Sequence, residues 1–132
     1  MTNIMPQMPN MNRGAWLLTE EIAECYRDLD IVYVYGGVLW RSDDLKDDFL
    51  TSHGIHTPTD YWKILVYQGQ VLAWIVPNSQ DAKRSVLDNY VVNPNNLLDT
   101  LSSINVRIDD LDISSLDISS ESWELPSGCD KS

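Results

Sequence analysis

The chain has 132 residues and a mass of 15.1 kDa, which fits one domain long enough to bury a core. Its hydrophobic fraction of 43% and its five tryptophans favour a globular fold over disorder. The formal net charge of -11 argues against broad electrostatic attraction to nucleic acid, because such binding relies on neutralised phosphates. No apolar run approaches the roughly 18 residues of a membrane span, and no signal or transit peptide is apparent, so we expect no membrane partner.

The first predicted element is a helix over residues 12–27, which follows an irregular lead. Pro6 and Pro9 push the residues before them toward extended conformations, so the lead is not helical throughout. Asn10 or Asn12 can cap the start of the helix with its side-chain oxygen. Apolar residues then recur at helical spacings, at Ala15, Leu18, Ile22 and Cys25. This spacing predicts one buried helix face.

Three strands are predicted next. The β-branched and aromatic run at residues 31–40 predicts the first, with Gly36-Gly37 marking a bulge or a close approach to a neighbour. Residues 61–67 and 71–76 predict a hairpin that turns at Gln68-Gly69. Both faces of the hairpin strands are apolar, which is typical of central strands covered on both sides.

Lys63 alone interrupts the apolar run of the hairpin. A strand lysine usually packs its stem flat and leads its ammonium to water, and we expect this structural arrangement here. A contact of Lys63 with a phosphate is the lesser alternative.

The connecting segments are polar. Residues 41–59 predict a loop with a short helical turn, and residues 79–88 predict a second loop after Pro77-Asn78 ends the hairpin. Residues 90–92 predict a short extended piece. Asn93-Pro94 then predicts the cap and first turn of a second helix that runs to about Leu101.

The final segment has a different composition. Residues 111–115 and 116–120 both read Leu-Asp-Ile-Ser-Ser, and two copies are too few for a solenoid. The alternating pattern can form an edge strand, but the serines and acids favour a loose tail held by Trp123. Seven acids and one lysine after Ile108 supply six of the eleven net negative charges. We therefore predict a domain at residues 1–106 and an acidic, flexible tail at residues 107–132.

Two cysteines are too few to suggest a disulfide-rich scaffold. Cys25 lies on the apolar helix face and is most simply a small core residue. A bond between Cys25 and Cys129 is possible, but nothing in the sequence supports it.

Three short motifs follow one another in a fixed order. Taken alone, each motif residue has an ordinary structural explanation. Asn12 can cap a helix, Asn3 and Gln7 can form turns, and Glu20 can be a solvated helix residue. The motifs are Asn3-Ile4-Met5-Pro6-Gln7, Asn12-Arg13-Gly14-Ala15-Trp16 and Glu20, four residues after the tryptophan. Together with residues 32–38, 56–63 and 71–78, their order resembles the DNA/RNA non-specific endonucleases. These are the sugar-non-specific branch of the ββα-metal (His-Me finger) nucleases, which includes mitochondrial endonuclease G, and the likeness runs over about residues 2–101.

The resemblance implies an α+β fold, in which a small, mostly antiparallel sheet carries a long metal-site helix, as part of a ββα-metal nuclease domain. It implies that Asn12 binds Mg²⁺ (or Mn²⁺) together with waters, as suits an ion that takes few protein ligands. Glu20 is the implied catalytic carboxylate, which orients a metal-bound water. Eight residues of a continuous helix separate the two by about 12 Å along the axis, so Glu20 would act through water. The implied substrate-binding residues are Asn3, Gln7 and Arg13.

The family's catalytic histidine belongs to an Asp-Arg-Gly-His motif upstream of the first motif, and this chain starts at Met1 just before that motif. Neither His53 nor His56 matches it, so we expect feeble or no cleavage of DNA or RNA by the chain alone. A complementing N-terminal half or a homo-oligomer is then an implied partner. The alternative is a catalytically dead relative that acts as a binding or inhibitory partner through its acidic surface. A decaying fragment without selected activity is the third reading.

Overall fold

The computed structural model describes residues 9–40, 59–108 and 110–129. Its N-terminal part holds helices α1 (Pro9–Arg13) and α2 (Ala15–Arg27) and strands β1 (Tyr33–Leu39), β2 (Asp60–Tyr67) and β3 (Gln70–Pro77). A 3₁₀ helix (Arg84–Tyr90), strand β4 (Val91–Val92), helix α3 (Pro94–Ser103) and strand β5 (Asp117–Ile118) follow. The loop predicted at residues 41–59 lies, apart from Thr59, outside the described residues.

The strands form one sheet of five in the order β1-β2-β3-β4, with antiparallel neighbours. β5 pairs with β3 in the parallel direction, at Gln70 and Val71. The predicted α+β class, with a small and mostly antiparallel sheet, is confirmed.

The β2–β3 hairpin is confirmed at the predicted turn. Gln68 and Gly69 both have positive φ, at 46° and 78°. Two positive φ values in succession match the twist of the flanking strands, which is why a two-residue turn containing glycine is favoured there. The hairpin places Lys63 opposite Trp74.

The sheet is covered on both faces, as the apolar hairpin strands predicted. On one face α1, α2 and the 3₁₀ helix pack against β2 and β3 through a core that includes Met11, Ile22 and Trp74. On the other face α3 packs through Leu97 and Leu101. Burial of these side chains on both sides is the main source of stability for the hairpin.

Gly37 explains the glycine pair in β1. A Cβ atom added at Gly37 would lie 2.8 Å from Trp62 Nε1 and 3.0 Å from two carbons of the same indole ring. The predicted close approach is therefore correct, since only glycine leaves room for Trp62 across the β1–β2 pair.

The N-terminal helix differs from the prediction. The sequence predicts one helix over residues 12–27, whereas the structure has two helices that meet at Gly14, whose φ of -105° and ψ of -104° are not helical. Asn10 and Asn12 both lie inside α1, so the prediction that either caps the helix is wrong. Pro9 begins α1 because proline suits the first helical turn.

The connection from β3 to α3 is more regular than predicted. The loop expected at residues 79–88 contains the start of the 3₁₀ helix, with Leu87 buried. The second predicted helix is confirmed as α3, where Asn93 Oδ1 accepts a hydrogen bond of 2.8 Å from the backbone N–H of Asn95 and Pro94 occupies the first turn.

The C-terminal segment was expected to be a loose tail, but its described part makes specific contacts with the domain. β5 forms the short strand that the alternating pattern allowed. The buried indole of Trp74 needs an acceptor, which Ser122 Oγ supplies at 3.0 Å. Trp123 lies against Tyr26 and Tyr67, with ring centroids 5.2 and 6.0 Å apart. The domain boundary at residue 106 stays a prediction.

A disulfide joins Cys25 on α2 to Cys129, with Cα atoms 5.9 Å apart. The sequence left this pairing open. The bond ties the end of the C-terminal segment to the helix that the segment crosses, next to the hydrogen bond from the Tyr26 hydroxyl to the carbonyl of Glu124.

None of the described helices is both long and apolar enough to span a membrane.

Candidate functional site

Asn12 and Arg13 are presented to solvent by the short helix α1. The preceding residue, Met11, is fully buried in the core between the helices and the sheet. Because Met11 fixes α1 on the domain, its two exposed neighbours lie at a defined place on the surface. The Asn12 amide is therefore accessible to an ion, and Arg13 is accessible to an anion.

Glu20 is exposed on α2, between the buried residues Thr19 and Glu21. Burial is the larger influence on the pKa of Lys63 on β2 and lowers it, whereas the negative charges of Glu20 and Glu24 on α2 raise it. The structure thus places the predicted carboxylate at the surface of α2.

Lys63 is buried, with 7% of its surface exposed, so the expectation that its ammonium reaches water is wrong. Its Nζ donates a hydrogen bond of 2.9 Å to Thr19 Oγ1 and lies 4.2 Å from the centre of a Trp16 ring. Burial lowers the pKa of Lys63 from 10.5 to about 8. The Trp16 face favours the ammonium and opposes this shift.

The lysine completes a chain of hydrogen bonds into α2. Thr19 Oγ1 accepts from Lys63 and donates to the carbonyl of Trp16 at 2.7 Å. The turn of α2 that carries Glu20 is thereby fixed to the central strand of the sheet. This role was missed in the sequence, because it depends on residues 44 positions apart.

The ion pair between the buried Glu21 and the partly exposed Arg84 was also missed. Glu21 is 3% exposed, and its two carboxylate oxygens accept hydrogen bonds of 2.7 and 2.9 Å from the Arg84 guanidinium. These hydrogen bonds raise the pKa of Arg84. One sequence signal existed: Glu21 stands three residues after Leu18 and four before Cys25, on the apolar face of the helix.

The residues present fit an ion that keeps most of its waters. Within the described ranges no three His, Cys, Asp or Glu side chains come together as a metal site. Mg²⁺ needs no such cluster, because one or two oxygen ligands and several waters suffice. The exposed amide of Asn12 offers one such oxygen. The axial spacing expected for a continuous helix no longer applies, however, because the chain turns at Gly14 between Asn12 and Glu20. Asn3 and Gln7 lie outside the described residues.

A mixed sheet with helices on both faces, and an accessible amide and carboxylate on its N-terminal helices, makes this a small α+β domain. A family model described as DNA/RNA non-specific endonuclease matches residues 1–112. The chain belongs to this family. Searches of curated proteins and of solved structures gave no match. The family assignment gives the chain a nuclease-type function with nucleic acid as the class of substrate, in a family that generally depends on divalent metal ions.

Proposed function

We propose that this domain supplies the ion-binding part of a metal-dependent DNA/RNA non-specific endonuclease site, which hydrolyses phosphodiester bonds. The observation that carries the proposal is the exposure of Asn12 on a helix that buried Met11 fixes in place. The family match, which includes Asn12 and Glu20, supports the same assignment.

Each residue has a distinct part. Asn12 would hold Mg²⁺ or Mn²⁺ through its amide oxygen, and Glu20 would accept a hydrogen bond from a nearby water and orient it. When bound, the ion stabilises the negative charge that develops on the phosphate. Arg13, beside Asn12, would contact a substrate phosphate. Asn3 and Gln7 are proposed to line the substrate site.

We propose that the polypeptide of residues 1–132 cleaves nucleic acid feebly when it acts alone. Its sequence contains no Asp-Arg-Gly-His motif, and its histidines, His53 and His56, do not stand in one. A positioned general base typically contributes about 10²–10⁴-fold to the rate, so an ion on Asn12 without that base is a weak catalyst.

The proposed partner is a complementing N-terminal half of the domain, with a second copy of the chain as the other possibility. Among the described strands β1 pairs with β2 alone, so no described strand lies along its other edge. Tyr33 and Val34 at its start are 58% and 53% exposed, and Ile31 before them is 67% exposed. An open edge with apolar side chains is suited to pairing with another strand.

Plasmid cleavage tests the proposal. The wild-type chain in Mg²⁺ or Mn²⁺ is expected to nick plasmid slowly, Asn12→Ala to abolish the nicking, and Asn96→Ala, an exposed asparagine on α3, to leave it unchanged. Addition of a segment containing Asp-Arg-Gly-His from a related nuclease is expected to raise the rate. Nicking that survives in Asn12→Ala would refute the role of the amide, and fast turnover by the chain alone would refute the need for a missing base.

The alternative function, inhibition of another nuclease by the acidic surface of this chain, can also be tested. Asp110, Asp112, Asp117, Glu121 and Glu124 are exposed on the C-terminal segment. If the chain occupies the basic cleft of an intact nuclease, it should inhibit that nuclease with an affinity that falls steeply with salt. Inhibition that does not depend on salt, or no inhibition at all, would exclude this reading.

A further inference from the structure

A small cavity opens at the break between α1 and α2. Its volume is about 190 Å³, and it is lined by Arg13, Gly14, Lys83 and Arg84. The whole chain has only nine lysines and arginines against twenty acids. Three of those nine cations meet around one cavity, and one of them, Arg13, directly follows Asn12 in the sequence. This place is a local exception to the acidic character of the protein.

The backbone around the cavity is fixed by the core. The N–H of Ala15, at the start of α2, donates a 3.1 Å hydrogen bond to the carbonyl of Ala82. Ala15 and Ala82 are both fully buried. Because Ala82 directly precedes Lys83, this bond holds the lysine next to the residue that begins α2. The two cation-bearing segments, which are about seventy residues apart in sequence, are therefore joined at the cavity.

Arg84 is held by a different contact. The buried carboxylate of Glu21 fixes its guanidinium through two parallel hydrogen bonds, while 44% of the Arg84 side chain remains exposed. A guanidinium has five N–H donors, so donors are left over after a two-bond contact with a carboxylate. Glu21 neutralises the charge of Arg84 but positions the remaining donors.

The net positive charge of the cavity comes from Arg13 and Lys83. Both side chains are exposed. Within the described parts of the chain, neither side chain forms an ion pair with a carboxylate. The carboxylate of Glu21 is instead paired with Arg84. The cavity thus combines one oriented guanidinium with two cations that form no ion pair with a described carboxylate, and α2 begins there without a side-chain cap. The positive end of a helix dipole adds to the attraction for an anion.

We infer that Arg13, Lys83 and Arg84 form a binding site for one phosphodiester group of the nucleic-acid backbone, adjacent to the reacting phosphate at Asn12. The inference rests on the proposed function, and it adds Lys83 and Arg84 to the substrate site. All three contacts are to phosphate and none reads a base, which suits a nuclease without sequence preference. The site also gives an acidic protein a local way to hold a polyanion.

Binding of labelled oligonucleotides to the full chain tests the inference without cleavage. Fluorescence anisotropy is measured in EDTA with a fluorescein-labelled 12-mer, as single- and double-stranded DNA and as RNA, at several salt concentrations. Lys83→Gln and Arg13→Gln are the test variants. Arg27→Gln, an exposed arginine in the last turn of α2, is the matched control. Thermal melts check that each variant is folded.

Lys83→Gln and Arg13→Gln are each expected to weaken binding several-fold, to the same extent for different sequences. Loss of one phosphate contact should also reduce the slope of log K against log salt by about 0.7–0.9. Arg27→Gln is expected to bind as the wild type does. A loss in Lys83→Gln no larger than in Arg27→Gln overturns the inference, and so does a loss confined to one sequence.

The same measurements separate the inference from the proposed function. If Asn12→Ala still nicks plasmid while Lys83→Gln weakens binding, the phosphate site stands and the role of Asn12 falls. If the test variants bind like the control while Asn12→Ala abolishes nicking, the role of Asn12 stands, and the phosphate site falls together with the phosphate contact proposed for Arg13. If the wild type binds none of the three probes even at low salt, the phosphate site falls, and plasmid nicking in Mg²⁺ or Mn²⁺ alone decides the role of Asn12.

Discussion

Replacement of Lys63 by methionine tests the burial of a charge in the centre of the sheet. Lys63→Met keeps a flexible side chain of similar length, removes the ammonium, and breaks the hydrogen bond to Thr19 and the contact with the Trp16 ring. Wild type and variant should therefore differ in how their stability depends on pH.

The sign follows from where the proton is held. The unfolded chain binds it with the ordinary pKa of 10.5, and burial lowers the pKa of Lys63 in the folded protein to about 8. Between these values the unfolded state carries a proton that the folded state has released, so stability rises with pH across the window from about 8 to about 10.5. Below pH 8 the folded protein bears the full cost of the buried charge.

The size follows from the same two values. One pKa unit corresponds to about 1.4 kcal/mol, so the fall from 10.5 to about 8 corresponds to about 3 kcal/mol of stability gained across the window. The attraction of the ammonium to the Trp16 face reduces this gain, which makes about 3 kcal/mol the upper figure.

Urea unfolding followed by tryptophan fluorescence at pH values from 7 to 10.5 measures the effect. The free energy of unfolding of wild type minus that of Lys63→Met is expected to increase by up to about 3 kcal/mol over this range. The exposed Lys83→Met is the control, and its difference from wild type should stay flat. A flat difference for Lys63→Met as well would refute the account of Lys63 as a desolvated ammonium.

Three further substitutions test the packing. Gly37→Ala should cost about 1–3 kcal/mol, because the new Cβ meets the Trp62 indole at 2.8 Å, and a variant that melts with the wild type would contradict the close approach. Cys129→Ser should lose about 2–4 kcal/mol in oxidising buffer and become insensitive to dithiothreitol, whereas an equal effect of the reductant on variant and wild type would argue against the disulfide. Arg84→Gln should cost about 1–3 kcal/mol, because it leaves the buried Glu21 carboxylate without its partner. The loss is smaller than for a fully buried pair, since 44% of the Arg84 side chain is exposed. The added change Glu21→Gln should recover most of the loss, and an Arg84→Gln variant as stable as the wild type would contradict a stabilising Glu21–Arg84 pair.

The parts of the fold set by local sequence were predicted correctly. The hairpin turn follows from Gln68-Gly69, and the start of α3 follows from Asn93-Pro94, because the turn and the cap are each built from neighbouring residues. The burial of β2 and β3 on both faces follows from their continuous apolar composition.

The parts that depend on distant contacts could not be predicted in this way. A strand lysine in isolation is expected to reach water, and only the fold brings Thr19 and Trp16 to Lys63. The attachment of the C-terminal segment depends on the need of buried Trp74 for an acceptor, 48 residues before Ser122. The break at Gly14 was missed because the apolar spacing that predicted the helix begins at Ala15, after the break, and residues 12–14 were joined to it without support from that spacing.

In the candidate site, too, the residues in local motifs were predicted and those brought in by distant contacts were not. Asn12, Glu20 and Arg13 were predicted from motifs, and the structure shows all three at the surface. Lys83 and Arg84 carry no local motif, and they reach the site only because the loop after β3 packs against the start of α2.

Paramagnetic broadening by Mn²⁺ tests the central claim, that the amide of Asn12 binds the ion. In ¹H–¹⁵N spectra of the full chain, substoichiometric Mn²⁺ is expected to broaden the side-chain amide of Asn12 first, together with its backbone neighbours. Asn12→Ala should abolish this selective broadening, and Asn96→Ala should preserve it. Broadening that is centred on the exposed acids of the C-terminal segment, and is unchanged in Asn12→Ala, would contradict the claim.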